Sequence, residues 1–133
     1  MAYPSGPGSE RLMRGVINAQ SGSDTAFTFD GTNPTVGTDS YTVPALHIIT
    51  VISIIICNAE PASAYNIDMG VTPSGDTAMQ LLKDQNVNGS GTFIWNDKFV
   101  LHGGDKLSFR SNANTSGDIF DIYISFIDQN WEN

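Results

Sequence analysis

The stretch from Leu46 to Cys57 reads Leu-His-Ile-Ile-Thr-Val-Ile-Ser-Ile-Ile-Ile-Cys, and it limits the fold more than any other part of the chain. Eight of its residues are Ile, Val or Thr, whose branched Cβ atoms favour the extended backbone over the helix. The run is too short to cross a bilayer as a helix, which takes about 20 apolar residues. It therefore predicts a strand. Strict alternation puts Ile48, Ile52, Ile54 and Ile56 on one face and Ile49, Val51 and Ile55 on the other. A strand apolar on both faces is either central to a core or covered on its outer side by another subunit.

The other segments agree with an all-β chain. Tyr65, Ile67, Met69 and Val71 alternate with Asn66, Asp68 and Gly70, the period-two pattern of a strand with one wet face. Leu107 and Phe109 alternate within Lys106 to Arg110. Phe120, Ile122, Ile124 and Phe126 alternate with Asp121, Tyr123 and Ser125. Strands are also expected at Leu12 to Ala19 and at Thr25 to Phe29. Thr77 to Leu82 is open between strand and helical turn. Thr92 to Trp95 and Lys98 to Leu101, separated by Asn96 and Asp97, predict a tight hairpin. Turn signals fall at Asn58 to Ala64, Pro73 to Asp76, Asn86 to Gly91 and Gly103 to Asp105. Eight to nine short strands with turns between them predict a sandwich or barrel. The expected organisation is an extended arm over residues 1–11, rich in Pro and Gly, a β-sandwich over 12–128 and a short tail over 129–133.

Charge excludes some functions. Fourteen acidic against six basic side chains give a net charge of −8. The basic residues are scattered, whereas nucleic-acid binding needs clustered Lys and Arg, so no nucleic-acid partner is expected. Only 15% of residues are charged, which fits a surface partly covered by partner chains. The single cysteine, Cys57, rules out an intrachain disulfide and reads as a small buried hydrophobe. Residues 1–10 hold no apolar segment, so neither a secretory leader nor a membrane partner is expected, and synthesis in a cytoplasm is.

No constellation for catalysis emerges. His47 and His102 lack the spacing of a metal pair, no cysteine cluster exists for zinc, and no serine sits in a Gly-x-Ser-x-Gly elbow. The many aspartates lie mostly in Gly/Asn/Ser turns, where Asp bonds its own backbone; calcium is the alternative for them. The expectation is no enzyme, no catalytic residue, no cofactor and no metal. Trp95, Tyr65, Tyr123, Trp131 and Tyr41 could form a sugar-stacking platform, but packing is the simpler role for each. Trp131 differs, because an indole in a polar tail has no local core and suits an anchor to a neighbour.

Residues 41–127 carry an ordered set of short motifs: Tyr41-Thr42-Val43-Pro44, Ile48 to Ile54, Cys57-Asn58, Lys98 to Leu101, Gly104-Asp105-Lys106-Leu107 and Ile122 to Ile127. This order resembles small β-sandwich virion proteins of tailed bacteriophages, which serve as capsid decoration (cement) proteins or as tail and neck modules. The resemblance implies a jelly-roll-like antiparallel sandwich of about eight strands and a structural role on the capsid exterior. It implies a major capsid protein or other virion protein as partner, and a symmetric homo-oligomer, with a trimer favoured. Tyr3, Arg11, Met13 and Arg14 in and beside the arm, with Trp131, are the candidate partner-binding residues. A tail, baseplate or neck module is the alternative, and a carbohydrate-binding sandwich the more distant one.

Overall fold

The computed structural model describes residues 9–20, 25–27, 29, 42–112 and 118–131. These form nine strands: β1 (Ser9–Gln20), β2 (Thr25–Ala26), β3 (His47–Asn58), β4 (Tyr65–Thr72), β5 (Met79–Val87), β6 (Thr92–Trp95), β7 (Phe99–His102), β8 (Lys106–Ser111) and β9 (Asp118–Asn130). Strand β1 thus begins at Ser9, ahead of the expected Leu12. Residues 1–8, including Tyr3, lie outside the described part.

The strands build two antiparallel sheets. One has the order β1-β9-β3-β6, with β7 also pairing β3; the other has the order β2-β8-β4-β5. The pairings are nested. The first strand pairs with the last (β1 with β9), the second with the next to last (β2 with β8), and β3 pairs with β6 and β7. Strand β4 pairs with β5 at the centre. A long hairpin rolled onto itself gives this nesting, and the result is a jelly roll.

Two sequence expectations are corrected. The segments Thr92–Trp95 and Phe99–His102 do not pair with each other. Both run antiparallel to β3, β6 against Ile54 to Cys57 and β7 against Ile48 to Val51. They are one strand interrupted at Asn96, Asp97 and Lys98. A polar break of three residues carries the same composition whether the chain reverses there or steps past an irregularity.

The second correction concerns the faces of β3. Its register with β9 shifts between Val51 and Ser53. That bulge inserts one residue and inverts the parity beyond it. Ile49, Val51, Ile54 and Ile56 are accordingly buried in the core, while Ile48, Thr50 and Ile55 face outward.

Between the sheets lie Ile17 from β1, Ile67 and Met69 from β4, Leu107 and Phe109 from β8, and Phe120, Ile122, Ile124 and Phe126 from β9. Phe27 and Phe29 complete this core. Gly15 makes room for Phe27, because a Cβ on Gly15 would overlap the edge of that ring.

The loop ends are held by buried polar groups. Asp105 accepts the backbone N–H groups of Ser74 and His102, both at 2.8 Å, and so ties the β7–β8 turn to the β4–β5 loop. Gly104 in that turn has φ +90°, and a Cβ there would lie 2.6 Å from Ser74 Oγ. Gly104→Ala is expected to cost about 1–3 kcal/mol through the left-handed backbone and the contact. Urea unfolding at neutral pH checks it.

Candidate interaction surface

The outer face of the β1-β9-β3-β6/β7 sheet is the feature of the molecule most suited to contact. Register assembles it. Val16 on β1 pairs with Tyr123 on β9, Tyr123 with Ile55 on β3, and Ile55 with Ile94 on β6. A second row runs Leu12, Ile127, Thr50 and Val100. Leu12 is 76% exposed, Ile94 54%, Val100 52%, Tyr123 43% and Ile55 40%. Single exposed apolar residues are ordinary, whereas among the described residues these cross every strand of one sheet.

Polar residues border and divide these rows. Arg14 and Ser125 pair between them, with Ser53 next in line. At one end of the sheet lie Glu10, Gln129, Ile48 and His102. Gln129 Nε2 donates to Glu10 Oε1 at 2.6 Å, which holds the Glu10 carboxylate on this face. At the other end Cys57 pairs with Asp121 and with Thr92, and the thiol is half-buried rather than enclosed in the core.

The candidate residues from the sequence are separated by the same alternation. Arg14 is exposed on the outer face beside Leu12. Arg11 and Met13 fall on the opposite parity of β1. Arg11 is exposed opposite Asp128, whereas Met13 packs against the core. Trp131 follows β9, and its backbone N–H donates to the Leu46 carbonyl at 3.0 Å. Its indole Nε1 is buried without a hydrogen-bond partner among the described residues. Nearby, His47 Nδ1 and Asp128 Oδ1 make a part-buried hydrogen bond of 2.8 Å. Trp131 therefore has a local framework that sequence alone did not reveal.

His47 and His102 come close in the sheet, since His102 pairs with Ile48, but alternation sends them to opposite faces. The aromatic residues considered for sugar stacking are also dispersed. Tyr65 and Trp95 pack against the core, Tyr123 stands on the outer face, and Tyr41 lies outside the described residues. Trp95 stacks edge-on with Phe99 at 6.4 Å, and its Nε1 donates to the Asp97 carbonyl at 2.8 Å.

The opposite sheet carries a shallow groove of about 380 Å³ on its outer side, with Gly70 in its floor and Lys83, Lys106 and Arg110 around it. Asp68 in the same groove engages Lys83 Nζ at 3.1 Å and the Asp84 N–H at 2.7 Å. Among the described residues no three His, Cys, Asp or Glu side chains gather into a metal-binding group, and no helix is long and apolar enough to cross a membrane.

Comparison with known proteins supports the fold. A chain from a structure of infectious bursal disease virus, Gx strain, superposes with a TM-score of 0.50 at 7% identity, covering 94% of this chain. This chain spans only about a third, 34%, of the length of that viral chain. The globular domain of zebrafish complement 1qA protein matches with a TM-score of 0.45 at 11% identity over 86% of this chain and 94% of its own. The Eiger TNF of S. frugiperda matches with 0.39 at 14% identity over 98% and 89%. No protein-family model matches the sequence, and no curated protein does. The viral likeness shows a shared jelly-roll sandwich and nothing finer.

Proposed function

We propose that this chain is a structural protein of a virus particle, acting as an auxiliary cement protein on the outer surface of a tailed-phage head. The observation that carries the reading is the exposed apolar face of its jelly roll. A sandwich that presents Leu12, Ile55, Ile94, Val100 and Tyr123 on one sheet face is suited to contact with protein. The ordered motifs over residues 41–127 add to it, and the shared fold with a viral chain is in keeping with it. In this role the protein buries surface across the junctions of shell subunits, and many modest contacts add up over a symmetric shell. A head-bound location, a non-enzymatic role and a major capsid protein as partner belong to the same proposal.

Beside the apolar face, part of the shell contact is assigned to residues 1–8, Tyr3 among them, together with Arg11 at the start of β1, where a guanidinium suits carboxylates on the shell. Removing residues 1–8 and changing Arg11→Glu leaves most of the β1–β9 ladder in place. The variant is expected to keep its fold and to lose at least about tenfold in affinity for undecorated heads, equivalent to ~1.4 kcal/mol. Co-sedimentation with purified heads measures this. Undiminished binding sinks the assignment to the arm. Immunogold labelling on tails alone would move the protein to a tail, baseplate or neck role.

A further inference from the structure

We infer that the edge of β1 pairs with the same edge of a second copy of this chain, antiparallel about a two-fold axis at Leu12, so that two sandwiches share one continuous sheet. The inference rests on the strand edges and not on the virion reading. A sheet edge presents a row of backbone N–H and C=O groups, and proteins blunt edges that are to stay unpaired with short strands, breaks, bulges and charges. The two sheets have four edges, formed by β1, β6/β7, β2 and β5. Among the described residues three of them are blunted. Strand β2 is two residues long. Strands β6 and β7 are parted by the break at Asn96, Asp97 and Lys98. Strand β5 shifts register twice against β4 and holds Asp84 at φ 51°. Strand β1 has none of these devices in its first half. It is twelve residues long, keeps straight register with β9 from Ser9 to Ala19, and among the described residues pairs with β9 alone. Ser9, Glu10, Arg11, Leu12 and Arg14 are all exposed, and Leu12 is the most exposed large apolar side chain among the described residues.

Symmetry and charge select the register. A two-fold axis normal to the sheet keeps every side chain on its own face, so each residue meets only residues of its own parity. The axis must then pass through a residue rather than between two. At Glu10, Arg11 or Arg14 it sets like charges directly opposite, which is destabilising. At Met13 or Gly15 it leaves both Glu10 and Arg14 opposite apolar or neutral residues. At Leu12 the opposed pairs are Glu10 with Arg14, Arg11 with Met13 and Ser9 with Gly15, each made twice, and Leu12 with itself. Glu10, Leu12 and Arg14 share the outer parity of β1, so the ion pair and the leucine contact lie on one face. Gln129 holds the Glu10 carboxylate there through one oxygen, and Arg14 forms no ion pair with a described residue. Pro7 has no N–H for a ladder and so bounds the pairing at the N-terminal side.

The ladder from Ser9 to Gly15 spans about 24 Å at roughly 3.4 Å per residue. Main-chain hydrogen bonds supply the affinity of such an added strand, and the side-chain pairs fix its register. Two chains of net charge −8 approach here through a strand that carries two cations and one anion, with opposite charges facing each other. The contact lies at the small end of specific interfaces, so the pair is expected to form in the micromolar range rather than below it. It consumes a strand edge and not the sheet face, so Ile55, Ile94 and Val100 stay open to the shell contact proposed above.

The test uses the full chain. Sedimentation equilibrium at high micromolar concentration is expected to give twice the monomer mass of 14.3 kDa. Arg14→Glu and Glu10→Arg, both at exposed positions, are each expected to weaken the dimer about tenfold with an unchanged circular dichroism spectrum, because each sets two like-charged pairs opposite one another. The double swap is expected to restore it. In a Cys57→Ser background, Leu12→Cys is expected to form an intermolecular disulfide under mild oxidation, since directly opposed residues lie about 4.5–5.5 Å apart. Val16→Cys is expected not to, because this register sets the two copies of that residue about 27 Å apart along the strands. A monomeric or trimeric mass overturns the inference. So does a dimer that fails to cross-link at position 12, or one whose double swap stays as weak as the single variants. A dimer with no affinity for undecorated heads keeps the pairing and removes the cement reading instead.

Discussion

Phe126→Ala is expected to cost about 3–5 kcal/mol in urea unfolding, a large part of the roughly 5–15 kcal/mol of stability that a domain commonly has. Phe126 lies on β9, between Met13 of β1 and Val51 of β3 in the ladder. Its ring points into the sandwich and meets Phe27 at 5.9 Å and Phe29 at 5.3 Å, both edge to face, and those two rings meet each other at 4.9 Å. Three rings in mutual edge contact gain electrostatic complementarity beyond the area they bury. All three are buried, so truncating one leaves a cavity that its rigid neighbours cannot fill. Phe27 is further confined by Gly15 beneath it. Phe126→Leu keeps most of the volume and is expected to cost less than half as much. Equal losses for the two substitutions would show that the ring contacts, rather than the cavity, set the penalty.

How far the sequence reveals this architecture depends on the range over which each element is specified. Strands β3, β4, β8 and β9 carry their own signal, because one or both faces alternate within a few residues. Strand β5 does not. Met79 and Leu81 are exposed and Leu82 is half-buried, so its apolar residues follow no single period, and its strand character comes from the β4 ladder. The bulge at Val51 and Ser53 is equally hidden, since a run of Ile and Val looks the same with or without an inserted residue. The contact surface was legible only in part. The two-sided apolarity of β3 pointed to a covered outer face, but its companions Leu12, Val16, Ile94 and Val100 come from three other strands. Only register joins them. Arg11 and Arg14 are both candidate partner-binding residues in the sequence, and the pleat of β1 separates them onto opposite faces.

A second large effect is expected at Asn58, where β3 ends. This side chain is fully buried, and both its N–H donors and its oxygen are engaged. Nδ2 donates to the carbonyls of Ser63 at 2.9 Å and Val87 at 3.0 Å, while Oδ1 accepts the Glu60 N–H at 3.0 Å. One residue thereby pins the β3–β4 connection to the end of β5 and links the two sheets. Asn58→Asp changes few atoms but removes both donors and sets a carboxylate oxygen against two carbonyl oxygens. The expected loss at pH 7 is about 3–5 kcal/mol, the scale of an uncompensated buried charge. Its pH dependence identifies the cause. Burial and the facing carbonyls raise the introduced carboxyl above its unfolded value near 3.9, since both disfavour the charged form. The folded state then holds the proton more tightly than the unfolded state. The penalty is therefore smallest below about pH 4, where both states are protonated and the neutral acid can donate to one carbonyl, and it grows as pH rises toward the elevated folded value. Asn58→Ala lacks the titrating group and is expected to show a loss independent of pH over the same range, relative to the parent chain. Urea unfolding of both variants between acid and neutral pH separates the two contributions. A loss for Asn58→Asp that does not fall on acidification would mean that the missing donors alone, and not the buried charge, account for the damage.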